Sequence, residues 1–278
     1  MKSIRVLFVS QEITPYLPES EIATTSRFLP QGIQEKGKEI RTFMPRWGTI
    51  NERRNQLHEV IRLSGMNLVI NDTDHPLIIK VASIQSARMQ VYFIDNEDYF
   101  HRKFELKNDK GEYYDDNDER AIFFARGVLE TVKKLRWSPD IVHCHGWFPS
   151  FIPIMVKKVY KDDPVFAKAK VICSLYNDEF DKPLNPDIKG KALYYEGITK
   201  KDLEPLKTTD YTGLTQLALN FSDGVILGSE NVNNSVLEYI NTINKPVLSF
   251  HSKDTYVDAI NNFYDQIINI PENASKKK

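Results

Sequence analysis

The sequence predicts a single doubly wound α/β domain with a mostly parallel sheet and an antiparallel extension. Short apolar runs rich in β-branched residues alternate with segments of helical periodicity, which is typical of this class. Residues 4–9, 20–36 and 39–44 form a predicted strand-helix-strand unit, and such units favour parallel pairing. Three later strand-like runs have no helix between them and predict the antiparallel extension: 57–63, 76–84 and 89–94.

The remaining elements are predicted from caps and periodicity. Ser20 should cap the first helix, Pro30 should distort it, and Asn117 or Asp118 should cap a long helix that ends near residue 135. The later predicted elements are a short helix at 96–103, strand 141–145, helix 149–160, strand 171–175, helix 213–221, strand 225–227, helix 231–239, strand 247–250 and helix 255–268.

Two long polar segments interrupt this pattern. Residues 107–118 are polar and acidic, and they predict a mobile loop. Residues 177–209 contain three prolines, and the length of this excursion predicts a functional or partner-facing segment. A protein partner is therefore one expectation for the excursion.

Composition excludes several classes of protein. Of the 278 residues 41% are hydrophobic and 27% charged, which is ordinary for a globular protein. A net charge of −1 provides no field to attract nucleic acid or an anionic membrane, so neither is an expected partner. Two cysteines make no disulfide framework, and no signal peptide or membrane span is predicted, so we expect a cytoplasmic protein. We expect one domain over 1–270 and a disordered basic tail over 271–278.

Residues 137–147 contain a predicted buried strand with His143 and His145 at its carboxyl end. In open α/β sheets, ligands bind at the carboxyl ends of the strands. The two side chains share one face of the strand, but a zinc site needs a third ligand that no nearby motif supplies. We therefore predict no metal and no cofactor. Two interpretations stay open: structural imidazoles bonded within the fold, or a polar ligand contact by His145.

The segment 113–120, Tyr-Tyr-Asp-Asp-Asn-Asp-Glu-Arg, also has two interpretations. Acidic residues at a helix N-terminus complement the helix dipole and cap free amides. Adjacent tyrosines beside a carboxamide and a carboxylate also suit a polyhydroxylated ligand, with Asp116 as the bonding carboxylate. The loop 11–21, in contrast, has no glycine, two prolines and three glutamates, which argues against phosphate binding.

Several of these segments, in order along the chain, resemble motifs of the N-terminal domain of glycogen and starch synthases, the ADP-glucose-dependent glucan glycosyltransferases. The similar segments are 6–12, 29–30, 43–48, 114–123, 139–147 and 222–229. The resemblance implies one Rossmann-like half of a two-domain GT-B enzyme. In that family the first domain holds the glucan acceptor and part of the active site, while the second holds most of the ADP-glucose site.

The resemblance also implies roles for individual residues. Asp116 matches the family's active-site aspartate, and His145 matches the histidine that contacts the transferred sugar. Further substrate-binding positions implied by the motifs are Tyr114, Asn117, Arg120, His143, Trp147 and Asn177. The expected ligands are an α-glucan or maltooligosaccharide, and ADP-glucose only if a second domain is supplied in trans.

The sequence departs from the family at four motifs and in length. The family's Lys-x-Gly-Gly falls on residues 18–21, Pro-Glu-Ser-Glu, and the aspartate after its second histidine is Gly146. Its Thr-Ile-His-Asn is Ser-Leu-Tyr-Asn at 174–177, and its Tyr-Asp-Arg is Phe-His-Arg at 100–102. Fewer than fifty residues follow Ser229, too few for a second domain. We therefore expect a glycogen synthase-like protein that is catalytically incomplete alone; the alternatives are a non-catalytic glucan-binding or regulatory protein, or a protein-interaction module.

Overall fold

The computed structural model describes residues 3–270, so the predicted tail lies outside the described residues. The strands are β1 Arg5–Ser10, β2 Glu39–Pro45, β3 His58–Glu59, β4 Met66–Ile70, β5 Thr73–Ile84, β6 Met89–Asp95, β7 Ile141–His145, β8 Lys170–Leu175, β9 Gly224–Leu227 and β10 Val247–Leu248. The helices are α1 Glu21–Glu35, α2 Glu97–Phe100, α3 Asn117–Lys134, α4 Phe151–Ile154, α5 Ile188–Leu193, α6 Tyr211–Asn220, α7 Asn234–Ile240 and α8 Tyr256–Ile268.

The sheet confirms the predicted fold class. Its order is β10-β9-β8-β7-β1-β2-β6-β5-β3, with β4 paired to β5 off this path. The seven strands from β10 to β6 run parallel, and β5 pairs antiparallel with β6, β3 and β4. The order reverses beside β1, which places the carboxyl ends of β1 and β7 at the switch point where ligands bind in such sheets.

The antiparallel extension differs from the prediction in detail. The predicted strand 57–63 was wrong beyond His58–Glu59, because the amides of Leu63 and Ser64 both donate to the carbonyl of Val60 and close a turn. The strand Met66–Ile70 was not predicted. It forms a hairpin with β5, joined by a two-residue turn in which Asn71 and Asp72 both have positive φ.

The predicted N-cap is confirmed for α1 and is wrong for α3. Ser20 caps α1 as predicted, since its hydroxyl accepts from the amide of Ala23 at 2.9 Å, and the helix continues through Pro30. The N-cap of α3 is Asp116 and not Asn117 or Asp118. The Asp118 carboxylate is buried and paired with Lys191 at 2.7 Å, so it is not available as a cap. The predicted helix 149–160 is α-helical only over Phe151–Ile154 and then continues as a π-helix, Met155–Val159.

Both long polar segments carry local structure. In the first, Lys107 and Tyr113 form a β-bridge, and the Asn108 side chain accepts from the amides of Lys110 and Glu112. These contacts close a hydrogen-bonded turn, and the mobility predicted for this segment stays a prediction. The excursion 177–209 carries α5 and packs on its own domain through buried apolar side chains: Leu184, Ile188, Ala192, Leu203 and Leu206.

Helices cover both faces of the sheet. One face packs against α3, α4 and α6, and the other against α1 and α8. The second face buries Phe8 and Ile172 of the sheet against Phe263 and Ile267 of α8. Polar contacts fix α8 at its edge, where the Lys38 ammonium donates to Asn261 at 2.7 Å and pairs with Asp265 at 3.0 Å. The side chains near the switch point on this face therefore lie beneath α1 and α8, and a cleft of about 360 Å³ opens between the two helices beside Ser174 and Tyr176.

Candidate functional site

His143 and His145 form a buried polar ladder on the face covered by α1 and α8. Nδ1 of His143 is 2.6 Å from the Tyr264 hydroxyl, and Nε2 is 2.7 Å from the Ser174 hydroxyl. Nδ1 of His145 is 2.7 Å from the Tyr176 hydroxyl, whereas Nε2 is buried with no hydrogen-bond partner among residues 3–270. The described contacts account for both nitrogens of His143 but leave one atom of His145 for a ligand.

Burial decides the charge of both imidazoles. It lowers the pKa of His145 to about 3, and burial together with the neighbouring His145 ring lowers the pKa of His143 well below its ordinary value. The two ring centroids are 3.9 Å apart, so two imidazolium charges would also repel each other. Both rings are neutral at pH 7. Nε2 of His145 is therefore a neutral hydrogen-bonding group.

The turn after β7 explains why position 146 is glycine. Gly146 has φ +82°, and a Cβ there would lie 2.5 Å from Oε1 of Gln11 and 3.0 Å from Oδ2 of Asp178. These two oxygens accept from the amides of Phe148 at 3.1 Å and Trp147 at 2.9 Å. Side chains from neighbouring strands thus fill the space that the family's aspartate would need, and Asp178 brings a carboxylate to the same place.

Asp178 is a titratable group that the sequence did not single out. Burial raises the pKa of its carboxyl to about 7, although the hydroxyl of Tyr211 donates to it at 2.9 Å and the amide of Trp147 stabilises its charged form. The residue as a whole is half-buried, but its oxygens face the enclosed turn. Its neighbour Asn177, which was a predicted binding residue, is exposed.

Asp116 is held by an arginine. Nη1 of Arg102 donates to its Oδ1 at 2.7 Å, and Nη2 contacts Oδ2, which makes a bidentate ion pair. This hydrogen-bonded pairing raises the pKa of Arg102. The Arg102 guanidinium also lies 4.6 Å from the ring centroid of Tyr114. The carboxylate is thus fixed in orientation beside an aromatic ring.

Arg120 and Asn117 lie beneath this pair and are fully buried. Arg120 donates from Nε to the carbonyl of Tyr99 at 2.8 Å and from Nη1 to Oδ1 of Asn117 at 2.6 Å. Asn117 donates in turn to the carbonyl of Leu106 at 2.9 Å. Burial, assisted by the nearby Arg102 charge, lowers the pKa of Arg120 to about 9. These contacts make Arg120 and Asn117 supports that shape the site from below.

The loop after β1 presents carboxylates where a phosphate-binding loop would present amides. Ser20 caps α1 and donates its hydroxyl hydrogen to Oε2 of Glu12 at 2.5 Å. Glu19 and Glu21 flank this serine and are exposed. A helix N-terminus attracts anions, but three carboxylates close to this one offset that attraction.

A cleft of about 430 Å³ opens at the carboxyl edge, between the β1 loop and the turn at 104–113. Its walls combine the aromatic rings of Trp47, Phe104 and Tyr113 with polar groups that include Gln11 and Asn108. The Trp47 indole is fixed, because its Nε1 donates to the carbonyl of Gln11 at 2.8 Å. Phe104 and Tyr113 are partly exposed, whereas the Trp47 indole is buried, so the first two rings are the aromatic surfaces that a ligand in the cleft could contact.

Two further classes of site can be assessed over residues 3–270. No three His, Cys, Asp or Glu side chains in that range are grouped so as to hold a metal ion. Among the helices of the same range, none has the length and apolar character of a membrane span.

Comparison with known proteins supports the resemblance seen in the sequence. A family model described as the starch synthase catalytic domain matches residues 5–243. The chain belongs to this family. The glycogen synthase of Chlorobium luteolum is 40% identical over 225 residues, covering 73% of this chain and 45% of that protein. The glycogen synthase of Chlorobium limicola is 35% identical over 248 residues, which cover 82% of this chain and 50% of that protein.

The fold of this chain also matches that of a solved starch synthase structure. The catalytic domain of starch synthase IV from Arabidopsis thaliana, bound to ADP and acarbose, superposes with a TM-score of 0.72 at 18% identity. The match covers 92% of this chain and 53% of that one. The chain thus spans about half the length of the relatives it matches, and the predicted Rossmann-like half of a GT-B fold is confirmed.

The residues of the starch synthase motifs differ in how accessible they are in the structure. Asp116 and Tyr114 are partly accessible. Buried and bonded within the fold are Asn117, Arg120, His143 and Trp147. Sequence reasoning missed Trp47 and Phe104 as cleft residues. Trp47 lay within a segment that matched the family spacing, which was an available signal, whereas nothing local distinguished Phe104.

Proposed function

We propose that this chain binds α-1,4-glucan in the carboxyl-edge cleft and is the acceptor-side half of a glycogen synthase-type glucosyl transfer. The observation that carries the proposal is the cleft itself, where the partly exposed rings of Phe104 and Tyr113 lie beside amide and carboxylate groups in a chain of the starch synthase family. The family resemblance adds His145 as the sugar-contacting histidine and Asp116 as the active-site carboxylate; neither side chain lines the cleft itself, and the His145 ring is buried in the structure. The unit that carries this role is residues 1–270.

The donor side of the proposal rests on charge. A departing nucleotide pyrophosphate needs positioned cations or amide donors. The N-terminus of α1 offers Glu12, Glu19 and Glu21 instead, and Ser20 already uses its hydroxyl within the fold. We therefore propose that residues 3–270 bind ADP-glucose only together with a nucleotide-binding domain, and that they do not transfer glucose without one.

Separate titrations with maltoheptaose and ADP-glucose, followed by calorimetry, test both halves of the proposal. We expect maltoheptaose to bind and ADP-glucose to give no heat of binding. Phe104→Ala should weaken glucan binding about tenfold, because it removes one aromatic wall of the cleft. Phe28→Ala is the matched control, since Phe28 is 46% exposed and lies outside this cleft. ADP-glucose binding, or glucan binding indifferent to Phe104, would contradict the proposal.

A second candidate is a non-catalytic glucan-binding or regulatory protein. The carboxylates around Ser20 favour it, because they disfavour a phosphate even when a partner approaches. Transfer from ADP-glucose after addition of a nucleotide-binding partner domain would support the first candidate, and binding without transfer would support the second. A purely protein-interacting role for residues 177–209 is less favoured, because most of their apolar side chains, with the exception of Tyr194, are buried within the domain. We also propose a cytoplasmic location, which the two free cysteines support.

A further inference from the structure

A second cleft lies away from the carboxyl edge, on the outer side of α3. It has a volume of about 610 Å³ and lies between β4, the middle of α3, the end of the π-helix and the excursion. Its walls are fixed. The hydroxyl of Tyr195 donates to the carbonyl of Val69 at 3.0 Å, and Gly197 approaches so closely that a Cβ there would lie 2.7 Å from the carbonyl oxygen of Lys158. The cleft is therefore formed before any ligand arrives.

One wall carries an exposed aromatic ring. Tyr194 is 53% exposed. It packs edge-on against Tyr195, with ring centroids 5.8 Å apart and an interplanar angle of 85°. Tyr195 is buried and hydrogen-bonded, so it provides a rigid base for the exposed ring. An aromatic ring held in this way can stack against the apolar face of a sugar.

The charges of the cleft favour a neutral ligand over an anionic one. Each cation of the lining already has a carboxylate within 4 Å. The pairs are Arg126 with Glu130 at 3.5 Å, Lys158 with Asp202 at 2.8 Å and Lys161 with Asp162 at 3.9 Å. A phosphate would have to displace these partners. Hydroxyl groups would not, because they can donate to the carboxylates and accept from the cations at once.

Arg126 offers one further point of attachment. Its guanidinium lies 5.6 Å from the ring centroid of Tyr160 and 4.8 Å from that of Tyr195, which holds it in place. Its Nε–H is buried and has no acceptor among residues 3–270. A buried donor without a partner is unfavourable, so a ligand oxygen that reached it would gain a hydrogen bond and remove that penalty.

We propose that this cleft is a second carbohydrate site, which binds a neutral stretch of α-glucan by stacking on Tyr194 and bonding to Arg126. The choice of glucan rests on the proposed function, but the site is separate from the carboxyl-edge cleft and shares no residue with it. It anchors the polymer at a distance from the first site. Two sites on one domain raise the apparent affinity for long chains above that for short ones.

The test compares variants of the full chain by glycogen affinity electrophoresis and by calorimetry with maltotriose. Tyr194→Ala should weaken the glycogen interaction about tenfold, and Tyr194→Phe should keep it, because the ring and not the hydroxyl is used. Phe28→Ala again serves as the exposed-aromatic control. Inorganic phosphate should not compete with maltotriose at this site, and competition would overturn the assignment to a neutral ligand. Thermal unfolding of each variant shows that the fold is kept.

The two proposals can fail separately. If Phe104→Ala loses glucan binding and Tyr194→Ala keeps it, the second site is refuted and the proposed function is kept. Loss in Tyr194→Ala alone would keep this site and refute the carboxyl-edge cleft as the glucan site. Losses in both support both proposals, and binding unchanged in both overturns them together.

Discussion

Replacing His145 should remove part of the acid sensitivity of this protein. An imidazole has an ordinary pKa of 6.5, and burial lowers the pKa of His145 to about 3 in the folded chain. Below pH 6.5 the unfolded chain therefore binds a proton that the folded chain does not, so stability falls as the pH falls. Between pH 7 and pH 5 the loss is about 2 kcal/mol for this residue. His143 adds a loss in the same direction.

The measurement is the free energy of unfolding in urea at pH 7 and pH 5, followed by circular dichroism. His145→Gln should be less stable than the wild type at both values, but its loss between them should be smaller by about 2 kcal/mol. His58→Gln is the control, because His58 is exposed on β3 and its replacement should leave the loss unchanged. Equal losses in the wild type and in His145→Gln would refute the reasoning. The window stops at pH 5 because carboxylates titrate below it.

Three other predictions concern groups around the site. Asp178→Asn should steepen the loss of stability between pH 7 and pH 5, because burial raises the pKa of this carboxyl to about 7 and its protonation in the folded chain opposes the loss; urea unfolding at both pH values checks this. Lys191→Met leaves the buried Asp118 carboxylate without the ammonium that lies 2.7 Å from it, and should lower the free energy of unfolding in urea by about 3 kcal/mol. Lys182→Met is the control: it breaks only the exposed pair with Asp115 and should change that free energy by less than about 1 kcal/mol. Gly146→Ala should destabilise by about 1–3 kcal/mol in thermal unfolding, because φ is +82° and the new Cβ would meet the side chain that follows β1 at 2.5 Å; an unchanged melting temperature would contradict the geometry.

The parallel part of the fold could be predicted from sequence because its signals are local. The strand predicted at 141–145 has those bounds in the structure, since a proline, a β-branched pair and a glycine delimit it. The hairpin Met66–Ile70 with β5 was missed, although Asn71 and Asp72 are residues that suit a two-residue turn with positive φ. Short strands of mixed polarity give too weak a period for detection.

The site could be predicted only in part, because its residues come from distant segments. Asp116 and His145 lie in motifs that local spacing reveals. Phe104 lines the cleft because a turn returns toward β1, and Asp178 reaches the space beside Gly146 from a different strand. Such meetings depend on tertiary packing, which no local pattern encodes. The burial of Arg120 and His143 could not be predicted from the motifs either, and their implied roles in binding stay predictions.

The position of α8 has a consequence for synthesis on the ribosome. Lys38 bonds to Asn261 across 223 residues, and His143 meets Tyr264 across 121. At about 5–20 residues per second, roughly 10–45 s separate the emergence of Lys38 from that of its partner. During that interval α8 cannot cover the apolar face of β1, β7 and β8 that it buries in the finished fold. The nascent chain is thus exposed to aggregation on this face, and a chaperone that binds apolar strands would act there until α8 emerges.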